Sequence, residues 1–242
     1  MRPSFNFDIG LEDIYSDQTL KDRSIMLYLE NTASFHSDMV GQGLKNIMET
    51  HLAWAVLDWK IEIIKRPTYG QKITVETWSK GYTKGVAYRD YHLYADGELC
   101  VKASSRWFQI DLDRRMPARL KEENLVKYGS EDISAIPVES LDKFTVPEEY
   151  DREITYTIRK SDIDTSGHVH NLNYLNMAIE VFEDKDDEMN IPRFNEIRIN
   201  YQKEITYGAT VRVRLLSKDN LHYVKILSQD EASVHALLIL SE

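Results

Sequence analysis

The chain has 242 residues, 42% hydrophobic and 29% charged, enough apolar material for a packed core beneath an ordinary charged surface. Its 30 basic residues against 40 acidic ones leave a net charge of −10, which excludes a general nucleic-acid surface. Cys100 is the only cysteine, so an internal disulfide and a cysteine-based zinc cluster are excluded, and a reducing compartment fits.

The N-terminus, Met1-Arg2-Pro3-Ser4-Phe5-Asn6-Phe7-Asp8, lacks the apolar segment and cleavage site of a secretory signal and turns acidic too soon for a transit peptide. No apolar run approaches the roughly 20 residues that span a bilayer. A cytoplasmic location without a membrane span is expected. Phe5, Phe7 and Ile9 then alternate with polar residues, the period of a half-buried strand. From Ile25 to Val40, Met26, Leu29, Ala33 and Met39-Val40 form an imperfect helical stripe. Four β-rich runs follow at 53–65, 72–80, 87–95 and 99–110, with Asp96-Gly97 as a hairpin turn between the last two.

Over 113–151 the period dissolves: Pro117, Pro137 and Pro147 scatter among charges, as in a linker lying over the surface. Alternation returns at Ile154, Tyr156 and Ile158. Leu172, Leu175, Ile179 and Phe182 then recur at helical spacing, with Ala178 beside them. An acidic run at 183–188 reads as a solvated loop. Strand-like runs close the chain at 193–202, 210–216, 221–228 and 232–240.

The element order repeats. Thr68-Tyr69-Gly70 recurs as Thr206-Tyr207-Gly208, an offset of 138, and Tyr28-Leu29 recurs as Tyr174-Leu175, an offset of 146. The difference of eight implies a longer helix-to-strand connection in the first half. The expected fold is α+β, two tandem hotdog domains, each an antiparallel sheet wrapped around a central helix. The first spans 1–112, the linker 113–151 and the second domain 152–242.

Chemistry concentrates at Asp162-Ile163-Asp164-Thr165-Ser166-Gly167-His168-Val169-His170-Asn171-Leu172-Asn173, where a strand end meets a helix start. Backbone amides there can polarise a carbonyl and stabilise its oxyanion. Helix capping by Asp164 or Ser166 explains one or two of these residues, not two histidines, two asparagines and a glycine together. Other chemistries lack their motifs: there is no Gly-x-Ser-x-Gly elbow and no glycine-rich phosphate loop. His168 and His170 are two apart with no cysteine near, so no metal site is expected.

This segment resembles the acyl-acyl carrier protein thioesterases of plants and bacteria, whose motif runs Asp-x-Asn-x-His-Val-Asn-Asn where this chain has Asp164-Thr165-Ser166-Gly167-His168-Val169-His170-Asn171. Arg66-Pro67-Thr68-Tyr69-Gly70 with Val75-Glu76-Thr77-Trp78, Ala103-Ser104-Ser105-Arg106-Trp107, and Tyr201-Gln202-Lys203-Glu204 resemble further family blocks in the same order. The resemblance implies hydrolysis of a fatty acyl thioester on acyl carrier protein, with no cofactor. It makes Asp164, Ser166, His168 and Glu204 the catalytic set: Glu204 as general base toward water, His168 binding or protonating near the thioester, Asp164 holding the loop. The Gly167 and His168 amides are expected to receive the carbonyl oxygen, and Asn171, Trp54 and Trp59 to meet the substrate. Arg114, Arg115, Arg119 and Lys121 are candidates for docking the acidic carrier.

Ser166 and His170 stand where the family has asparagines, and Ile205 where plant members have a cysteine, so a cysteine nucleophile is excluded there. The first half shows Leu20-Lys21-Asp22-Arg23-Ser24 before its helix, without histidine. One active site per chain is therefore expected, between the halves, with the first half supplying acyl-chain wall. An acyl-coenzyme A thioesterase and a non-catalytic acyl-binding protein are the alternatives, and a homodimer stays open.

Overall fold

The computed structural model describes residues 2–137, 141–183 and 191–242. The acidic run at 183–188 falls outside the described residues from Asp184 onward. The chain divides into two compact units, Met1–Asp142 and Lys143–Glu242. Among the described residues, no helix is long and apolar enough to cross a membrane.

Unit 1 begins with β1 (Ser4–Asp8), α1 (Asp22–Met39) and the single turn α2 (Ile47–Thr50). Four long strands follow: β2 (Leu52–Ile63), β3 (Lys72–Thr83), β4 (Val86–Ala95) and β5 (Glu98–Asp111). The short β6 (Met116–Ala118) and α3 (Glu122–Leu125) come after them. The sheet order is β1-β3-β4-β5-β2, all neighbours antiparallel, with β6 on β5. Asp96 and Gly97 take φ of 50° and 83° in the β4–β5 turn, the left-handed pair that a tight hairpin requires.

The apolar stripe of α1 (Ile25, Met26, Leu29, Ala33) is buried, and the helix packs on β3. It stops where Gly41 adopts φ 70° and Gln42 N donates to Ser37 O at 2.8 Å, a glycine cap closing the last turn.

The reading of 113–151 as a surface linker needs correction. β6 extends the sheet, and Leu120, Leu125, Tyr128, Ile136 and Leu141 are buried. Trp78 points away from α1; its Nε1 donates to Ile133 O at 2.7 Å, and it packs with Ala135 and Ile136. This strap covers an indole that the outer face of the sheet would otherwise leave in water, so a short apolar group among charges suffices.

Unit 2 contains β7 (Arg152–Thr157), α4 (Asn171–Ile179), β8 (Glu196–Tyr201), β9 (Thr210–Lys218), β10 (Leu221–Ser228) and β11 (Val234–Ser241). Its order is β8-β11-β10-β9-β7, again antiparallel. Leu172, Tyr174, Leu175 and Ala178 of α4 are buried, and the helix contacts β9 and β10. Each unit is thus an antiparallel sheet with a helix laid on one face, the hotdog arrangement.

The turn before each helix repeats bond for bond. Tyr15 N donates to Thr19 O, Gln18 N to Tyr15 O, Leu20 N to Pro67 O and Lys21 N to Asp13 O. Asp164 N to His168 O, Gly167 N to Asp164 O, Val169 N to Ile205 O and His170 N to Asp162 O are the counterparts. The helix starts, Asp22 and Asn171, lie 149 residues apart (171 − 22). The offset of 146 from the Tyr-Leu match is therefore three residues, nearly one helical turn, out of register. The first-half counterpart of the turn at Asp164–His168 is Tyr15–Thr19, not Leu20–Ser24, and it too lacks histidine.

Candidate active site

Two short bridges build the site in unit 2. Ile163 pairs with Val169, closing a loop over 164–168, and His168 pairs with Thr206. Val169 N donates to Ile205 O at 2.8 Å, which fixes the segment after β8 beside the loop. Alternation then decides direction: Ile205 goes into the core, while Glu204 projects outward with its side chain 66% exposed. Gly167 sits at φ 82°, where an L side chain is strained, and this lets the loop reverse within five residues.

Inside the loop, Asp164 Oδ1 accepts from Ser166 N at 2.7 Å and from Ser166 Oγ at 2.6 Å. Ser166 Oγ also lies 3.2 Å from His168 Nδ1, and His168 Nε2 lies 3.3 Å from Glu204 Oε1. A hydroxyl carries one proton. With the carboxylate of Asp164 taking it, Ser166 Oγ offers His168 only a lone pair, so Nδ1 is the protonated nitrogen. Nε2 then faces Glu204 either as a donor, with the imidazolium paired to the carboxylate, or as a bare lone pair. The first satisfies both groups directly.

Buried groups support the Glu204 segment from behind. Tyr174 OH donates to Lys203 O at 3.5 Å, and His235 Nδ1 lies 3.0 Å from the same carbonyl, which can only accept. Burial holds the Tyr174 phenol above its ordinary range, and the charges of Glu204 and Asp164 push it further up, so it stays a donor. Neither Tyr174 nor His235 stood out as a site residue in the sequence. The placement of Tyr174 one turn into a helix that begins beside the motif was the available signal.

The helix is capped by neither Asp164 nor Ser166, which serve their own turn. His170 is the N-cap, accepting from Leu172 N at 3.3 Å. Asn173 Nδ2 donates to Asp162 O at 3.0 Å, and Asn171 O accepts from Tyr201 OH at 3.1 Å. Of the two expected oxyanion donors, the Gly167 N–H is already turned to Asp164 O at 3.1 Å.

The other expected residues lie in unit 1. Trp54 Nε1 donates to Tyr128 OH at 3.1 Å, and Trp59 is buried against Tyr91 and Trp107. Arg114, Arg115, Arg119 and Lys121 are exposed; Arg114 faces Asp111 at 3.7 Å and Lys121 faces Glu123 at 3.9 Å. In the repeated turn, Tyr15, Asp17 and Thr19 take the places of Asp164, Ser166 and His168, and Arg66 that of Glu204. Arg66 Nη1 donates to the wholly buried Asp22 at 2.8 Å and to Leu20 O at 3.0 Å. Unit 1 thus holds a fixed ion pair where unit 2 holds an exposed carboxylate and an imidazole.

Comparison with known proteins agrees with this division. The family model described as the acyl-ACP thioesterase N-terminal domain matches residues 4–128, and that of the C-terminal domain matches 146–236. The palmitoyl-acyl carrier protein thioesterase of Arabidopsis thaliana is 28% identical over 189 residues, 72% of this chain and 46% of that protein. The oleoyl-acyl carrier protein thioesterase 1 of the same plant is 26% identical over 192 residues, 72% of this chain and 53% of its own length. The chain thus spans about half the length of these curated relatives. Among solved structures, an acyl-ACP thioesterase from Bacteroides thetaiotaomicron superposes with a TM-score of 0.85 at 21% identity, covering 99% of this chain and 96% of that one. The 12:0-ACP thioesterase from Umbellularia californica gives 0.83 at 18% identity, with 98% and 95% covered, and both likenesses show the fold. With both family models matched in order over most of its length, this chain belongs to the acyl-ACP thioesterase family.

Proposed function

We propose that this chain hydrolyses the thioester between a fatty acyl group and acyl carrier protein, releasing the free acid. The observation that carries the reading is the 3.3 Å approach of His168 Nε2 to Glu204 Oε1, with Ser166 and Asp164 aligned behind the imidazole. The family match and the named substrates of its relatives support the carrier-linked substrate.

Glu204, its side chain exposed, takes a proton from a water molecule as the water's oxygen attacks the thioester carbonyl carbon. Negative charge gathers on the carbonyl oxygen, and the His168 amide is the better placed of the two expected donors, because the Gly167 amide is occupied. The C–S bond then breaks. His168 Nε2–H gives its proton to the departing sulfur, and the proton held on Glu204 returns to the imidazole. The Asp164–Ser166 pair keeps Nδ1 protonated throughout, so only Nε2 exchanges protons. The exposed basic residues Arg114, Arg115, Arg119 and Lys121 are the chain's candidates for meeting the acidic carrier.

Hydrolysis of acyl carrier protein substrates of graded chain length, beside the matching acyl-coenzyme A esters, tests this. Carrier-linked substrates are expected to give the higher kcat/KM. His168→Ala and Glu204→Gln are each expected to lose on the order of a hundredfold or more in kcat. Folded variants that turn over like the parent would overturn the site, and a preference for coenzyme A esters would overturn the substrate.

A further inference from the structure

Unit 2 holds a second chain of serine, histidine and glutamate, sharing no residue with the turn at 164–168. Ser217 on β9 and His222 on β10 stand directly opposite each other, next to the Lys218–Leu221 pair that ends the hairpin. Opposed side chains lie on one face of the sheet within reach of each other. Ser217 Oγ lies 2.9 Å from His222 Nδ1, and His222 Nε2 lies 3.2 Å from Glu242 Oε1.

Each member is held by a contact of its own. Ser217 N donates to Asp151 Oδ2 at 2.9 Å, and Glu242 N donates to Asn220 O at 3.1 Å. The His222 ring, 7% exposed, meets Phe182 and Phe194 edge to face with centroids 5.0 and 6.1 Å away, which fixes its plane. Ser217 itself is exposed, so the hydroxyl is open to a reagent from solvent.

The two nitrogens face the same groups as in Ser166–His168–Glu204, serine at Nδ1 and glutamate at Nε2. The serine proton is what differs. Ser166 gives its proton to Asp164 Oδ1 at 2.6 Å and keeps none for the imidazole. Ser217 Oγ makes no other hydrogen bond among the described residues, so its proton faces His222. Glu242 accepts from Nε2–H, which places the ring proton there and leaves Nδ1 as a bare lone pair. A bare imidazole nitrogen against an exposed hydroxyl, with a carboxylate behind the ring, is the arrangement that activates a serine. The same geometry limits it. With its amide turned to Asp151, Ser217 lends no backbone donor to an oxyanion, so acylation outruns turnover.

We propose that Ser217 is a reactive nucleophile, acylated by small activated esters and phosphonylated by fluorophosphonates, with His222 as its base and Glu242 as a positioning residue. Ser217 Oγ attacks the ester carbonyl carbon, and its proton passes to His222 Nδ1 as the new C–O bond forms. The bond to the aryl oxygen breaks, and the imidazolium returns the proton to the departing phenolate. With a fluorophosphonate the P–O bond forms, the P–F bond breaks and fluoride leaves. None of these residues takes part in the proposed thioester hydrolysis, so the two readings stand or fall separately.

The test is intact-mass measurement and peptide mapping of the full chain after p-nitrophenyl acetate, with phenolate release followed in parallel. A burst of one phenolate per chain and one acetyl group on Ser217 are expected, with a fluorophosphonate probe competing for the same residue. Ser217→Ala is expected to abolish the burst and His222→Gln to slow it on the order of a hundredfold. Glu242→Ala is expected to slow it about tenfold, whereas Glu242→Gln, which keeps an acceptor for Nε2–H, stays within about threefold. His168→Ala leaves the burst intact, and Ser217→Ala leaves hydrolysis of the carrier thioester intact. No burst, label on lysines or on His168 in place of Ser217, or equal losses in the two Glu242 variants overturns the proposal. If His222→Gln does not fold, the Ser217 and Glu242 variants, at side chains open to solvent, decide alone.

Discussion

Replacing Ser166 separates the two halves of the proposed relay. Its hydroxyl is 2.6 Å from Asp164 Oδ1 and 3.2 Å from His168 Nδ1, so Ser166→Ala removes both contacts and frees the imidazole to rotate or change tautomer. Hydrogen bonds to charged partners contribute about 1.5–3 kcal/mol. The loop is exposed, so the lower end applies, and about 1.4 kcal/mol corresponds to one decade of rate. Ser166→Ala is therefore expected to lower kcat roughly tenfold with KM nearly unchanged, because the serine orients the imidazole and does not hold the acyl chain. Ser166→Asn separates orientation from loop integrity. The amide carries a donor and an acceptor on different atoms, so Nδ2–H reaches Asp164 while Oδ1 accepts from His168 Nδ1–H. That variant is expected to stay within about threefold of the parent. The assay is release of the carrier thiol from a saturating acyl carrier protein substrate. Full activity in Ser166→Ala refutes the relay, and an equal loss in Ser166→Asn assigns the serine to loop packing.

Three further outcomes follow from the same coordinates. Tyr174→Phe leaves His235 on Lys203 O at 3.0 Å, so kcat is expected to fall no more than about fivefold; the double variant with His235→Phe should lose more than the product of the single effects. His36 ordinarily titrates near 6.5 and is lowered to about 3, so the folded state resists its protonation and stability drains as pH falls through that window. Urea unfolding at pH 7 and pH 5 should show the parent losing about 2 kcal/mol more than His36→Asn, which keeps an acceptor for Arg89; equal losses contradict the assignment. Ile136→Ala opens a cavity against Trp78 in the strap and is expected to cost about 2–5 kcal/mol, read as a lower urea midpoint, whereas a surface strap predicts almost no change.

The strands were legible because one face of each sheet is buried, and burial of one face forces the two-residue alternation read from the chain. The expected runs and the observed β2 to β5 differ only at their ends, where hydrogen bonding rather than polarity decides. The strap over Trp78 was not legible. Its contribution comes from single apolar residues such as Ile136, and an isolated residue has no period. The repeat was legible but its register was not, since Tyr-Leu pairs recur along an amphipathic helix and a shift near one turn keeps the same face inward. At the site, the proximity of Glu204 to His168 rests on two isolated bridges between segments 36 residues apart (204 − 168), which no local pattern encodes. The resemblance brought them together. It could not show that the Gly167 amide is turned into its own loop, because that depends on backbone direction.

The two copies of the turn share a backbone and differ in their side chains. Backbone bonds, bridges and even the left-handed residue (Gln18 at φ 67°, Gly167 at φ 82°) are shared. What differs is the side-chain charge and where its partner lies. In unit 1 the carboxylate sits on the helix as Asp22, wholly buried and clamped by Arg66, and removing either partner leaves an uncompensated buried charge. That arrangement locks the turn but cannot take a proton from water, because the carboxylate meets none. In unit 2 the helix position is the neutral Asn171, and the carboxylate has moved to the facing segment as Glu204, half in solvent and within reach of an imidazole. Moving one carboxylate across the turn turns a fixed pair into an exposed one that can exchange protons, and under the proposed mechanism only the second copy of the turn has the groups the reaction needs.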